Sequence, residues 1–353
     1  MKFNSKLRGT GVAALALTAA IGFTGTAHAQ VDVPLVESGS SLLYPLFNLW
    51  VQGYTAINPD ADVTTTSTGS GAGIAQAIQG LVNIGASDAY LSDSLSKANP
   101  TMESIPLAIS SQAVNYNLPG VSHLNLSGPI LAAIYEGKIT QWNDPAIAAA
   151  NPGVALPAHV IVPIHRLDGS GDTFIFSAYL AKADAGWAAT YKFGTTVSWA
   201  PITGEIGANG NAGMLAALAS NPYSLAYIGI SYADKVAADN LGQAALENAA
   251  GNFVLPTVDA ISAAAASVAN STPADERISI IFTAAPNAYP IVNYEYAIVD
   301  SSQPAPAVAS AVRAFLSWAI TEGNDTTYLN QVHFLPLPPA VVALSQAQIA
   351  KLQ

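Results

Sequence analysis

The sequence predicts a two-domain α/β protein, and three observations carry that expectation. The chain has 353 residues, 51% of them apolar, enough for two ordinary domains with buried cores. From Leu35 to Leu118, short β-rich runs alternate with Gly/Ser turns and apolar helical stretches, the rhythm of an α/β domain. Two extended apolar segments, Leu107 to Asn117 and Ile291 to Val299, bracket a stretch the size of a second domain. The first domain is therefore expected to be discontinuous, residues 30–115 with 292–353, and the second to span 116–291.

In chain order, the first expected element is a cleavable leader at residues 1–29. Lys2, Lys6 and Arg8 form a positive start, Val12 to Phe23 a short apolar run, and Ala27-His28-Ala29 the small residues ahead of a cut before Gln30. The apolar run is shorter than the roughly 18 residues of a membrane span. One strand-turn-helix cycle then reads as Val63 to Ser67, Gly69 to Gly73, and Ile74 with Ile78 at helical spacing. The Ala-rich stretches Ala260 to Ala269 and Ala305 to Ala314 are read as helices. In the second of these regions Val308, Val312, Phe315 and Ala319 share one face. No repeat of fixed period runs through the chain.

Charge and cysteine content exclude several function classes. The formal charge is −11, and loss of the three leader cations takes it to −14. Such a surface repels nucleic acid and anionic membranes, and at long range it repels an anionic ligand too. With no cysteine there is no disulfide framework, no thiol nucleophile and no site for lipid attachment. A cleaved, unlipidated product fits a periplasm.

Four segments share small residues, and each is expected to open a helix: Gly39-Ser40-Ser41-Leu42, Gly69-Ser70-Gly71-Ala72-Gly73, Gly85-Ala86-Ser87-Asp88, and Arg166 through Thr173. Glycine lets backbone N–H groups approach a ligand, and helix N-termini leave donors unpaired. One such loop is most often only a cap; four in one chain, one carrying Arg166, point to an anion site. Arg166 is suited to bidentate contact with an oxyanion, and Asp168 to holding the guanidinium. Asp88 sharpens the ligand, because a carboxylate beside an anion suits an ion that itself carries a proton. Monohydrogen phosphate does, whereas sulfate would set acceptor against acceptor. The plainer reading of Asp88 is a cap for a helix starting at Ala89.

Beyond these loops the chain carries Tyr44-Pro45 with Trp50, Ile84-Gly85-Ala86-Ser87-Asp88, Val114-Asn115-Tyr116-Asn117-Leu118-Pro119-Gly120, Ile139-Thr140-Gln141-Trp142-Asn143-Asp144, and Arg166 through Phe174. In order and spacing these motifs resemble the phosphate-binding proteins of high-affinity phosphate ABC importers, over essentially the whole mature chain. The runs Ser-Ser-Leu-Leu-Tyr-Pro-Leu and Asp-Gly-Ser-Gly-Asp-Thr-Phe are closest to the actinobacterial-type branch. The resemblance implies a type II periplasmic-binding-protein fold with the ligand in the interdomain cleft, closing by hinge motion and delivering phosphate to a membrane permease. It implies phosphate contacts from Ser41, the Leu42 backbone, Ser70, Asp88, Arg166, Ser170, Gly171 and Asp172, supported by Ser40, Asp168 and Gly169. Asp172 stands where the family often has Thr. Its side chain is expected to turn away as an N-cap, leaving the backbone N–H for the ligand; the alternative is that it accepts a second ligand proton.

An enzyme is the main rival reading, in the form of a secreted phosphatase-like hydrolase. No Gly-x-Ser-x-Gly elbow with a partner histidine is present, and His123, His159, His165 and His333 are scattered singly. His165 is expected to pack under the Arg166 loop. A calcium loop started at Asp168 places Tyr179 where a bidentate Glu is required. Sulfate or molybdate on the same fold is disfavoured by Asp88. The expectation is a monomeric, periplasmic phosphate receptor with no turnover, no metal and no cofactor, its partner being an ABC importer of the inner membrane.

Overall fold

The computed structural model describes residues 33–353, so the expected leader lies outside the described residues. The strands are β1 (Leu35–Gly39), β2 (Val63–Ser67), β3 (Ile84–Ser87), β4 (Met102–Asn117), β5 (Asn125–Leu126), β6 (Val162–Arg166), β7 (Ile206–Ala208), β8 (Ser224–Gly229), β9 (Gly242–Gln243), β10 (Ala245–Glu247), β11 (Phe253–Val254) and β12 (Val292–Asp300). The main sheet runs β2-β1-β3-β12-β4-β8-β6-β7, with β9 also paired to β4, and β11-β10-β5 form a small second sheet.

Each end of the main sheet is parallel. β1 lies parallel to β2 and β3, and β6 lies parallel to β7 and β8. Parallel pairing needs crossovers, which place helices over the strands and bury both faces. Accordingly β3 and β8 are buried throughout. β2, at the edge, keeps all four of its polar side chains partly or fully exposed in the run Val63-Thr64-Thr65-Thr66-Ser67.

β4 and β12 join the two ends. β4 pairs antiparallel with β12 from Met102 to Ser111, then with β8 from Gln112 to Asn117. The chain returns beside that change of partner, where the Gln112 N–H donates to the Ile291 carbonyl (3.1 Å). Both extended segments read from the sequence are therefore strands, and one strand is shared by both halves. The β4–β12 ladder slips at Glu295/Tyr296, whose partners are Ala108 and Pro106. Leu107 is the extra residue, next to a proline with no N–H to donate.

Each half has its own aromatic core. Under β1–β3, Phe47, Trp50, Tyr54, Phe315 and Trp318 pack edge-to-face and stacked, and Trp50 Nε1 donates to the Gly323 carbonyl (2.7 Å). Under β6–β8, Tyr135, Phe176, Trp199 and Tyr227 form the second cluster. The helix Pro306–Ala319 buries Val312, Phe315 and Ala319 as expected, with Val308 half-exposed at its start. Among the described residues no helix is long and apolar enough to cross a membrane.

Candidate anion-binding site

The first half contributes three loops. Past the end of β1, Ser40 Oγ accepts from the Leu42 and Leu43 N–H groups (3.1 and 3.0 Å) and donates to Asp88 Oδ1. This turn feeds the helix Tyr44–Ile57, which carries Pro45 in its first turn. The Leu42 N–H, an expected ligand donor, is thus engaged by Ser40. After β2, Gly69 (φ +90°) opens the helix Ser70–Ile78. A Cβ here would press on Asp168 and Gly169, so the close approach requires glycine. Ser70 Oγ accepts from the Asp88 N–H (3.2 Å).

The third loop differs from expectation. Gly85, Ala86 and Ser87 are β3 itself, and no helix starts at Ala89; the next one is Asp93–Ala98, capped by Ser92. Asp88 is therefore not a cap. It is 1% exposed, and its Oδ2 has no hydrogen-bond partner among the described residues. Burial pushes the Asp88 carboxyl up; Glu295, Ser40, the Arg166 charge and Ser70 work against that rise without cancelling it.

The second half supplies the cation. Arg166, at the end of β6, is 4% exposed. Its Nε donates to Asp168 Oδ1 (2.7 Å), Nη2 to Asp168 Oδ2, and Nη1 to Asp172 Oδ2 (2.7 Å). Burial disfavours the guanidinium charge, but these two carboxylates outweigh it and raise the Arg166 pKa. The helix Gly171–Ala183 follows, capped by Ser170 Oγ, which accepts from the Thr173 N–H (3.2 Å). Gly171 sits so close to the first half that a Cβ would overlap Asp88 Oδ2 and Ser70 Oγ.

The cap position corrects the expectation for Asp172. Ser170 takes the capping role, and the Asp172 side chain points inward, 1% exposed. Gln112 Nε2 donates to Asp172 Oδ1 (3.0 Å), while Asn211 Nδ2 and Arg166 Nη1 both donate to Oδ2 (2.7 Å each). Both oxygens already have protein donors, which also argues against the second-proton alternative. Burial and the neighbouring charge of Asp88 push the Asp172 carboxyl up to about 7.

The halves meet directly. The Gly71 N–H donates to the Gly169 carbonyl (2.8 Å), and Asn211 donates from its backbone N–H (3.1 Å) and from Nδ2 (3.0 Å) to Ser41 Oγ. A cavity of about 280 Å³ lined by Ser41, Thr68, Gly69, Asp168, Asn211 and Tyr232 opens onto this junction. All the predicted loops therefore converge on one place.

The family model for the PBP superfamily domain matches residues 24–322. Phosphate-binding protein PstS of Xylella fastidiosa (strain Temecula1) is 34% identical over 325 residues, covering 91% of this chain and 86% of that protein. PstS of Methanocaldococcus jannaschii is 33% identical, covering 86% of this chain and 82% of that protein. PstS3 of Mycobacterium bovis (strain BCG) is 35% identical, covering 89% and 86%. This chain belongs to the phosphate-binding protein family. Among solved structures, a high-affinity periplasmic phosphate-binding protein, PfluDING, bound with phosphate, superposes with a TM-score of 0.70 at 23% identity, covering 89% of this chain and 93% of that one. The phosphate binding protein of Stenotrophomonas maltophilia gives 0.68 at 19% identity, with the same coverage. The shared fold is the two-domain α/β arrangement of periplasmic binding proteins.

Several polar residues of this phosphate-binding protein's site were not singled out from the sequence. Asn211 lies in the run Gly207-Ala208-Asn209-Gly210-Asn211, which leads into the first turn of the helix Gly210–Ser220, a fifth loop of the same kind as the four recognised. Gln112 and Glu295 are polar residues inside apolar strands, and that interruption was the available signal. Tyr227 accepts from the Arg166 N–H (2.9 Å) and touches Thr173 Oγ1 (2.8 Å); in sequence it is indistinguishable from any strand tyrosine. His165 stacks on Trp199, ring centroids 5.2 Å apart, beneath the Arg166 loop.

Proposed function

We propose that this phosphate-binding protein captures inorganic phosphate between its two halves and delivers it to the permease of an ABC importer in the inner membrane. In this reading it is an exported, periplasmic, monomeric receptor that binds and releases its ligand unchanged, using no metal and no cofactor. Residues 30–115 with 292–353 form one lobe and 116–291 the other, hinged where β4 changes partner.

The observation that carries the proposal is Asp88 Oδ2, a buried acceptor without a protein donor, set amid groups that donate. Ser41, Ser70 and Ser170 each accept a hydrogen bond at Oγ from the protein, leaving the hydroxyl proton for an anion. The first N–H groups of the helix Gly171–Ala183, those of Gly171 and Asp172, have no partner within the helix, and Gly171 packs against Asp88 and Ser70. Arg166 brings the positive charge, held flat by Asp168 and Asp172. An anion with one P–OH satisfies Asp88 and the donors together, whereas a fully deprotonated oxyanion leaves two acceptors facing each other. Aligned local dipoles of this kind hold an anion inside a net negative protein.

Calorimetric titration with phosphate and with sulfate tests the proposal, using the mature protein and Asp88→Asn. The expected result is tight phosphate binding and at least a 100-fold preference over sulfate, about 3 kcal/mol for the acceptor clash. That preference collapses in Asp88→Asn, whose amide donates to either ion. Equal affinity of the wild type for both ions would remove the proton-acceptor reading, and ester hydrolysis without binding would favour the phosphatase-like alternative.

A further inference from the structure

Beside Asp88, across the β3–β12 register, lies a second carboxyl group that phosphate capture as described does not use. In the β3–β12 register Tyr296 faces Ser87, so Glu295 stands across from Asp88, one step beyond the last pair. The slip of the β4–β12 ladder falls at this residue, and bulges of that kind re-aim side chains. Glu295 is fully buried. Ser110 Oγ, on β4, donates to its Oε1, and burial with the neighbouring charge of Asp88 pushes the Glu295 carboxyl well up. Glu295 Oε2 and Asp88 Oδ2 both lack a hydrogen-bond partner among the described residues.

Two carboxylates in contact inside a protein cannot both ionise, because each is desolvated and each repels the other's charge. One proton between them removes the repulsion, and because a carboxylate oxygen has two lone pairs, Asp88 Oδ2 can accept the Glu295 O–H and still accept a proton from the ligand. Which side chain keeps it follows from the neighbours. Asp88 accepts from Ser40 Oγ, its backbone N–H is held by Ser70, and it lies in the field of Arg166. Glu295 has one neutral donor, Ser110, and faces the charges of Asp88 and Asp172. Ionisation is thus favoured at Asp88 and opposed at Glu295. Asn293, the other polar neighbour on β12, donates to the Asp88 carbonyl and not to either carboxyl group.

We propose that Glu295 is a positioning and specificity residue: a neutral buried acid whose O–H donates to Asp88, fixing Asp88 as an ionised acceptor for the proton that the ligand carries. This rests on the phosphate reading above. Without that donor, Asp88 takes up a proton of its own. It then offers an O–H to any oxyanion, and discrimination against sulfate is lost, first at low pH.

Two measurements test it. Infrared difference spectra of wild type minus Glu295→Gln, taken without ligand at pH 7.5, are expected to show a protonated carboxyl band from Glu295; absence of that band overturns the proposal whatever the ligand. Calorimetry with phosphate and sulfate at pH 5.5, 7 and 8.5 then compares wild type, Glu295→Gln, which keeps a donor, and Glu295→Met, which has the same bulk and none. Glu295→Gln is expected to stay within threefold of wild type. Glu295→Met is expected to lose at least tenfold in phosphate affinity and tenfold in the phosphate-to-sulfate ratio, most strongly at pH 5.5. An unchanged ratio and pH profile in Glu295→Met, or equal losses in both variants, would overturn the donor role. Failure of the wild type to bind phosphate would overturn the phosphate reading and this role with it, while the infrared band would still report the protonation of Glu295 separately.

Discussion

At Asp172 a buried carboxylate stands within the proposed site with its charge shared among several donors. Its two oxygens are occupied by Gln112, Asn211 and Arg166, so its work is to hold the guanidinium and tie β4 to the second half. Burial and the charge of Asp88 raise it to about 7, so it carries a proton below that pH and a charge above it. The charge opposes a bound anion. Asp172→Asn is therefore expected to bind phosphate like wild type at pH 5.5 and about tenfold more tightly at pH 8.5, since about 1.4 kcal/mol of repulsion is removed. Calorimetric titration across that range checks it; a variant weaker than wild type at every pH would mean that the Arg166–Asp172 ion pair matters more than the repulsion.

Among the elements, β1 carries an acid where a strand between two neighbours normally carries an apolar residue. Glu37 is buried between β2 and β3, accepts from Thr65 Oγ1, and is pushed up to about 8 by burial. In the unfolded chain the same group titrates near 4.5. Between these values the folded protein holds a proton that the unfolded chain has released. The stability associated with Glu37 is therefore full below pH 4.5 and is lost as pH rises toward 8. Glu37→Gln cannot ionise, and it is expected to be more stable than wild type by about 3 kcal/mol at pH 7 and equal to it near pH 4.5. Urea unfolding at the two pH values measures this, and an identical pH slope in both proteins would show that Glu37 is already ionised when folded. The helix starts are more conventional: Ser170, Ser127, Thr257 and Asp184 each accept an N–H three residues on, the arrangement expected of caps.

For the whole molecule, capture of an anion by a protein of formal charge −11 separates long-range from short-range electrostatics. The global field slows the approach of phosphate, and in the proposed site the local donors hold it once it arrives. Salt screens the first effect far more than the second, because the donors are buried and the Debye length shrinks to about 8 Å at physiological ionic strength. The association rate for phosphate is accordingly expected to rise about two- to fivefold between 10 and 150 mM salt, the reverse of an electrostatically steered ligand. Stopped-flow fluorescence reports this rate, and a fall with salt would show that the mouth of the cleft is locally attractive.

Much of this protein was legible in its residues before folding was considered. Strand-turn-helix cycles, the two long apolar segments and the Gly/Ser loops depend on local spacing and backbone freedom, so the α/β class, β4, β12 and most of the loops around the site follow from short windows of sequence. Asp88 was legible for the same reason, as one carboxylate among anion-binding turns. What tertiary structure decided is which polar groups share a proton or a donor. The change of partner along β4, the ladder slip at Glu295, the approach of Gly171 to Asp88, and the ring of Gln112, Asn211 and Arg166 around Asp172 join residues far apart in the chain. Caps can be guessed from neighbours a few positions away, but the ionisation of a buried carboxyl depends on every charge and donor that packing brings against it. That is why Ser170, rather than Asp172, proved to be the cap, and why Glu295 became visible only once β12 lay beside β3.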